Sequence, residues 1–190
     1  SGVTLTAGNY FGNYTHLFDA TQDVEWNRIS WNQNTPSILI GVDADETIGK
    51  SVDWGVHWIK TNPNLNSVPT NAVDLVTFSN ASLVLVDLND DIWRSSDFGY
   101  TWIRINDDYN YAENDDATVM MKDSSDRIYI FETDEDVWRS DTYGYTWMKI
   151  SANFDRSTST ANARGAVSTT TNTLFVTTSD GNVYRSLDLG

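Results

Sequence analysis

The sequence predicts an all-β fold of four-stranded antiparallel units, repeated about four times, and three observations predict it. An eight-residue pattern centred on glycine recurs, with Gly55, Gly99, Gly144 and Gly190 at intervals of 44, 45 and 46 residues. Each interval holds short β-rich runs separated by turn residues, and no 3.6-residue apolar period competes with them. The runs number four per interval, and four strands per repeat of about 40–45 residues are the mark of a propeller blade. The expected architecture is a β-propeller of about four blades, forming one domain over residues 1–190.

The strands of each blade are lettered A to D. The A runs are expected at residues 29–31, 75–78, 119–121 and 166–168, and the B runs at 38–42, 83–86, 128–131 and 174–176. The C runs, 48–50, 92–94, 137–139 and 183–185, each end on a basic residue: Lys50, Arg94, Arg139 and Arg185. The D runs begin on tryptophan, at 58–60, 102–105 and 147–150. Between C and D lies the repeated box. Its first copy has Ser51, Asp53, Gly55, His57 and Trp58; its second has Ser95, Asp97, Gly99, Thr101 and Trp102. The third has Ser140, Thr142, Gly144, Thr146 and Trp147, and the fourth has Ser186, Asp188 and Gly190. The aspartates suit a turn whose N–H groups need an acceptor, the glycines supply positive φ, and the tryptophans are expected to bury their rings between blades. The box is therefore read as fold-forming.

The pattern Ser-x-Asp-x-Gly-x-Thr-Trp resembles the Asp box, or BNR repeat, of sialidase-like propellers. Ser95 to Trp102 match it at every fixed position, His57 replaces the usual threonine in the first copy, and Thr142 replaces the usual aspartate in the third. The resemblance implies the propeller fold, with box turns between strands C and D. A sialidase site would need three arginines around a substrate carboxylate, a tyrosine nucleophile with its glutamate, and an acid. The non-repeating arginines Arg28, Arg156 and Arg164 are the candidates for such a cluster, but sialidase propellers have six blades and this chain has enough for four. The expectation is a non-catalytic module, with a sialidase-like or other glycoside hydrolase, or a fragment of one, as the alternative.

Composition narrows the rest. With 12 Lys+Arg against 27 Asp+Glu the formal charge is −15, which argues against nucleic-acid partners. No apolar stretch is long enough for a membrane helix. Cysteine is absent, which excludes disulfides, thiolate metal sites and a cysteine nucleophile. An Asn- and Thr-rich, lysine-poor chain with sequons at Asn13 and Asn80 fits an extracellular, cell-surface or virion-surface setting. No targeting leader precedes Gly2, so a processed or excised chain is expected.

In a propeller the B–C turns and D–A connections share one end, opposite the boxes. More than half of the acids fall in these segments, so negative charge is expected to crowd that end as a solvated surface. Asp87, Asp90, Asp91, Asp134 and Asp136 are the candidates for Ca²⁺, the one cofactor considered, though no stretch matches an EF-hand loop. Tyr109, Asn110 and Tyr111, with Arg28 and Arg164, are the candidates for a glycan or protein ligand. Finally, Gly2-Val3-Thr4-Leu5 matches the Gly-x-Thr-apolar end of the box. Residues 2–7 are therefore expected to pair with the strand around Val183-Tyr184-Arg185, closing the last blade within the chain or joining a neighbouring molecule.

Overall fold

The computed structural model describes residues 3–5, 14–16, 26–31, 38–43, 48–62, 72–78, 80, 82–111, 115–154 and 161–188. Two short strands come first, β1 (Val3–Leu5) and β2 (Tyr14–His16), paired with each other. Blade 1 is β3 (Trp26–Trp31), β4 (Leu39–Asp43), β5 (Ile48–Ser51) and β6 (Ile59–Asn62). Blade 2 is β7 (Ala72–Thr77), β8 (Leu83–Asp87), β9 (Asp91–Ser95) and β10 (Ile103–Asp107). Blade 3 is β11 (Ala117–Lys122), β12 (Ile128–Glu132), β13 (Val137–Ser140) and β14 (Met148–Ser151). Blade 4 has three strands, β15 (Ala163–Ser168), β16 (Leu174–Thr178) and β17 (Val183–Ser186). Every blade is an antiparallel meander in sequence order, the fold that the glycine repeat predicts. Among the described residues no helix is long and apolar enough to cross a membrane.

The second strand of a blade is covered on both faces, so it reads as an unbroken apolar run. Accordingly β8 and β12 are buried from end to end. The first strands stack side by side, β3 on β7, β7 on β11 and β11 on β15. Each first strand slips by one residue against the second, leaving Asn27, Val73, Thr118 and Arg164 as bulges at one repeated place. Thr61, Ile105 and Ile150 repeat a second bulge between the third and fourth strands. Bulges raise local twist, so their repetition gives each sheet the same propeller-like rotation.

The core lies between blades. Ile40 and Ile48 of blade 1 meet Leu75, Leu83 and Leu85 of blade 2, with Trp93 and Trp102 packed against them. Val76, Val84, Val86 and Ile92 of blade 2 meet Ile128, Ile130, Trp138 and Trp147 of blade 3. Met121, Tyr129, Phe131 and Val137 of blade 3 meet Leu174 and Val176 of blade 4.

The boxes are closed by their own side chains. Ser51, Ser95 and Ser140 Oγ accept the N–H of Gly55, Gly99 and Gly144 at 2.8, 2.8 and 2.9 Å. Asp53 and Asp97 Oδ1 each accept a backbone N–H four residues on, at 2.9 Å. Both departures from the pattern keep this bonding. Thr142 Oγ1 accepts the Thr146 N–H at 2.8 Å, and His57 Nδ1 lies 2.6 Å from Asp53 Oδ2, where Thr101 donates to Asp97 at 2.7 Å. The fourth box begins alike, Ser186 donating to Asp188 at 2.7 Å, while Gly190 lies outside the described residues. Gly144 has φ +91°, and a Cβ there would sit 3.2–3.3 Å from Ile92, Ile105 and Val84, so the box is pressed onto the preceding blade.

The tryptophans behave differently from expectation. The fourth strands begin one residue later, because each indole folds back and donates to the box glycine carbonyl at 3.0–3.1 Å. Only Trp147 is fully buried; Trp58 and Trp102 are half-buried. The basic residues before the boxes also acquire a role. Lys50 Nζ sits 4.3 Å from the Phe98 ring and 5.1 Å from Tyr100, both in the box of the next blade. Arg94 repeats this over Tyr143 and Tyr145 at 5.6 and 5.7 Å, and its guanidinium also donates to the Tyr143 carbonyl. Lys50 and Arg94 thus clasp the following blade at the rim, whereas Arg139 donates to Asp141 of its own box.

The expected closing strand is not where the repeat arithmetic put it. Val3–Leu5 pairs with Tyr14–His16, and β17 has no fourth strand beside it among the described residues. A partner a few residues away closes a shorter loop than one at the far end of the chain, so the local hairpin wins. Among the described residues the sheets do not close on one another, and the four blades follow in an open arc.

Candidate functional site

The acidic end was expected to be a solvated surface, and the structure corrects this. Asp87, Asp91, Glu132, Glu135 and Asp136 are buried. Asp87, the last residue of β8, accepts the N–H groups of Asn89 and Asp91 at 2.9 and 3.1 Å and the Trp93 indole at 2.9 Å. Glu132 ends β12 in the same place and is 0% exposed. Its Oε2 accepts the Trp138 indole at 2.7 Å, and its Oε1 accepts the Tyr109 hydroxyl and the Asn110 amide, both at 2.8 Å.

Three residues further on stand Asp90 and Glu135, both at positive φ. Their carbonyls accept the N–H of Tyr109 and Phe154 at 3.2 and 3.0 Å. Their carboxylates accept the N–H of Ala117 and Ala161 at 3.4 and 3.0 Å. The B–C turns of blades 2 and 3 therefore grip the connection that leads out of their own blade toward the next. The sequence reading singled out Asp87, Asp90 and Tyr109 for ligands and not for this grip, and it passed over Glu132, Glu135 and Phe154, although a signal existed. Asp87 and Glu132, Asp90 and Glu135, and Tyr109 and Phe154 are each separated by the same step as Gly99 and Gly144.

Burial pushes Asp90 up to about 7, with the N–H of Ala117 and the Asn110 amide opposing and the charges of Glu132 and Asp116 adding. Glu132 and Asp91 are raised by burial too, and Arg104, 2.8 Å from Asp91, holds that group back. The sign is fixed by linkage. A carboxyl raised on folding keeps a proton that the unfolded chain has lost, so its contribution falls as pH rises from about 4 to about 7. The melting temperature is therefore expected to be several degrees higher at pH 5 than at pH 8. Asp90→Asn should shrink that difference, as thermal scans at both pH values would detect; an unchanged difference would contradict the assignment to Asp90.

The Ca²⁺ candidates divide. Carboxylate oxygens of Glu132, Asp134 and Asp136 approach within 4.8 Å of one another. Both Glu132 oxygens are already acceptors, however, and Asp136 pairs with Lys149. Asp134 Oδ1 accepts the Asp136 N–H at 3.0 Å. A hard cation needs free oxygens, so these residues do not fit Ca²⁺ as they stand.

The ligand candidates also separate. Tyr109 and Asn110 lie in the core, their polar ends bound to Glu132 and Asp90, and so present no face to a sugar. Tyr111 is 73% exposed, its ring 6.1 Å from Trp138. Arg164 is exposed at the bulge of β15, and Arg28 lies in β3 with its side chain outside the described residues. Arg164 belongs to blade 4, whereas Tyr111 lies in the connection between blades 2 and 3. Asp107, Asp116, Asp134 and Asp180 reach solvent at this end. The Asp116 N–H donates to Thr133 Oγ1 at 3.2 Å, which joins the connection carrying Tyr111 to the turn carrying Asp134. Asn80 is exposed in the turn between β7 and β8, and Asn13 lies outside the described residues.

With this geometry in hand, likeness to solved structures is specific for the fold. The chain is similar to YCF48 from Cyanidioschyzon merolae, with a TM-score of 0.65 and 13% identity over 88% of this chain and 54% of that one. It has the blade architecture of a β-propeller. A GH74 xyloglucanase from Xanthomonas campestris is similar with a TM-score of 0.63 and 16% identity, over 86% of this chain and 28% of the enzyme. The computationally designed Ika4 protein matches with a TM-score of 0.58 and 9% identity, over 90% of this chain and 94% of that one. The chain thus spans about half the length of the YCF48 it matches. The sequence matches no protein-family model and no curated protein.

Proposed function

We propose that the chain is a non-catalytic propeller module that binds protein, using the acidic end around Tyr111 to take an extended basic segment. The observation that carries this reading is the division of the acids. Those beneath the rim are buried and hydrogen-bonded, which makes the platform rigid, while Asp107, Asp116 and Asp134 stay in solvent at the ends of the connection that carries the exposed Tyr111 ring and on the turn bonded to it. Exposed carboxylates on a fixed frame steer and orient a cationic partner, and Tyr111 offers its ring to a guanidinium. A solved YCF48 structure bound to a D1 peptide, similar to this chain with a TM-score of 0.50, supports peptide binding as a use of this fold. The GH74 likeness supports the fold only. Assignment of the boxes to the Asp-box family, and an extracellular or virion-surface setting, are part of this proposal; the box pattern, the composition and the exposed sequon at Asn80 support them.

Calorimetry with an arginine-rich peptide, its uncharged counterpart and a panel of oligosaccharides tests the reading. Micromolar binding of the basic peptide, weakened by salt, is expected. Tyr111→Ala combined with Asp116→Asn should lower affinity about tenfold. Equal affinity for the uncharged peptide, or preference for an oligosaccharide, would overturn it.

A further inference from the structure

The forward faces of the blades are equivalent by register. Ile40 and Lys50 in blade 1, Val84 and Arg94 in blade 2, and Tyr129 and Arg139 in blade 3 are paired alike, and Phe175 and Arg185 continue the series. On blades 1 to 3 the apolar member is fully buried by the next blade. On blade 4 the same face is uncovered: Val167 is 53% exposed, Val183 65%, and Phe175 partly. A groove of about 640 Å³, lined by Phe131, Val137, Ile150, Phe154 and Tyr184, opens on the other side of blade 4, against blade 3. Ile92, Ile105 and Tyr109 hold the matching places around Trp147 one blade earlier, so the groove corresponds to a box-tryptophan socket.

The two ends of the arc complement each other. Arg185 stands exposed where Lys50 and Arg94 clasp the aromatic rings of a following box. Trp54, 49% exposed, occupies the box position of Phe98 and Tyr143 in blade 1, with no cation over it among the described residues. β17 pairs only with β16 and β1 only with β2 among the described residues, so each keeps one open edge. Gly2-Val3-Thr4-Leu5 repeats the Gly-x-Thr-apolar order of Gly99 to Trp102.

We propose that blade 4 docks head to tail on blade 1 of a second copy of this chain. Arg185 then sits over the second copy's Trp54, and that copy's Val3–Leu5 adds to β17 with Leu5 at the tryptophan position. Two such junctions close a ring of two arcs, the outcome open to a heterologous interface whose rotation closes. The pairing uses the blade-to-blade junction already present three times in the chain, and it covers an edge that otherwise invites association.

Sedimentation of the full chain at rising concentration tests this. A shift from one to two chains per particle is expected. Arg185→Glu and Val183→Asp should each weaken pairing about tenfold or more, while the circular dichroism of the dilute chain stays unchanged because both side chains are exposed. Mixing an Arg185→Glu chain with a Trp54→Glu chain should restore part of the pairing, since that combination keeps one intact junction. A chain that stays single at every concentration overturns the proposal, and so does pairing that Arg185→Glu and Val183→Asp both leave untouched. The basic peptide separates this from the binding reading. Single chains that bind it sink only the pairing, and paired chains that ignore it sink only the binding.

Discussion

Glu132→Ala is expected to lower the unfolding free energy by about 3–5 kcal/mol, the range for breaking a buried charged hydrogen-bond group from one side. The carboxylate is fully buried and accepts three donors: the Tyr109 hydroxyl, the Asn110 amide and the Trp138 indole. Tyr109 and Asn110 come from the connection between blades 2 and 3, and Trp138 comes from β13. Alanine would leave the Tyr109 hydroxyl and the Trp138 indole dry and unpaired across one junction, while the Asn110 amide keeps Asp90 and the Asp115 carbonyl as acceptors. The loss is smaller than the separate penalties summed, because removing the carboxylate also removes its own cost of burial, which already raises its pKa. Glu132→Gln keeps an acceptor for Tyr109 and Asn110 but turns an amide N–H₂ toward the indole, so a loss of about 1–2 kcal/mol is expected. Urea unfolding at pH 7 measures both. A loss below about 1 kcal/mol in Glu132→Ala would mean that water reaches these donors, and the buried-acceptor account would fail.

Trp147→Ala is expected to cost a similar amount, about 3–5 kcal/mol, for a different reason. The ring is 6% exposed and belongs to the core cluster between blades 2 and 3. It lies 5.4 Å from the Tyr109 ring, and its Nε1 donates to the Gly144 carbonyl at 3.0 Å. Truncation leaves a cavity that the surrounding β-sheets cannot collapse to fill, and it frees a box carbonyl. Trp58 holds the same box position but is half-buried, so Trp58→Ala should cost roughly half as much by lost apolar area. Thermal unfolding of the two variants side by side checks the ranking. Equal losses at Trp147 and Trp58 would show that the box turn, rather than burial between blades, sets the contribution of the tryptophan.

The repeat made the blades legible before any coordinates, because a box is local chemistry at fixed spacing. Ser95, Asp97, Gly99 and Thr101 meet one another within a single turn, so their sequence order contains their bonding. The same locality explains why His57 and Thr142 could depart from the pattern without changing the fold. The alternation of strands and turns and the apolar second strands were equally readable, since each depends on neighbours in the chain. The acids were not. Asp134 and Asp136 look alike in sequence, yet one is exposed and the other buried, because Asp136 opens the third strand and pairs with Lys149 on the fourth while Asp134 stays at the turn tip. Lys50 and Arg94 were visible as a repeat, but their aromatic partners lie one blade away, and only packing brings them together. Residues 3–5 show the same division. Their pattern fits strand D of a last blade, while the structure pairs them with residues 14–16, because the choice among partners rests on loop entropy and on the geometry of the arc. The sequence by itself determined the repeating unit and its turns through bonds made within a few residues. The tertiary structure decided which carboxylates were gathered with the connection to the next blade, as Glu132 is with Tyr109 and Asn110, which cations became clasps and which face of blade 4 was left uncovered, because each of these depends on chain beyond the blade's own hairpins.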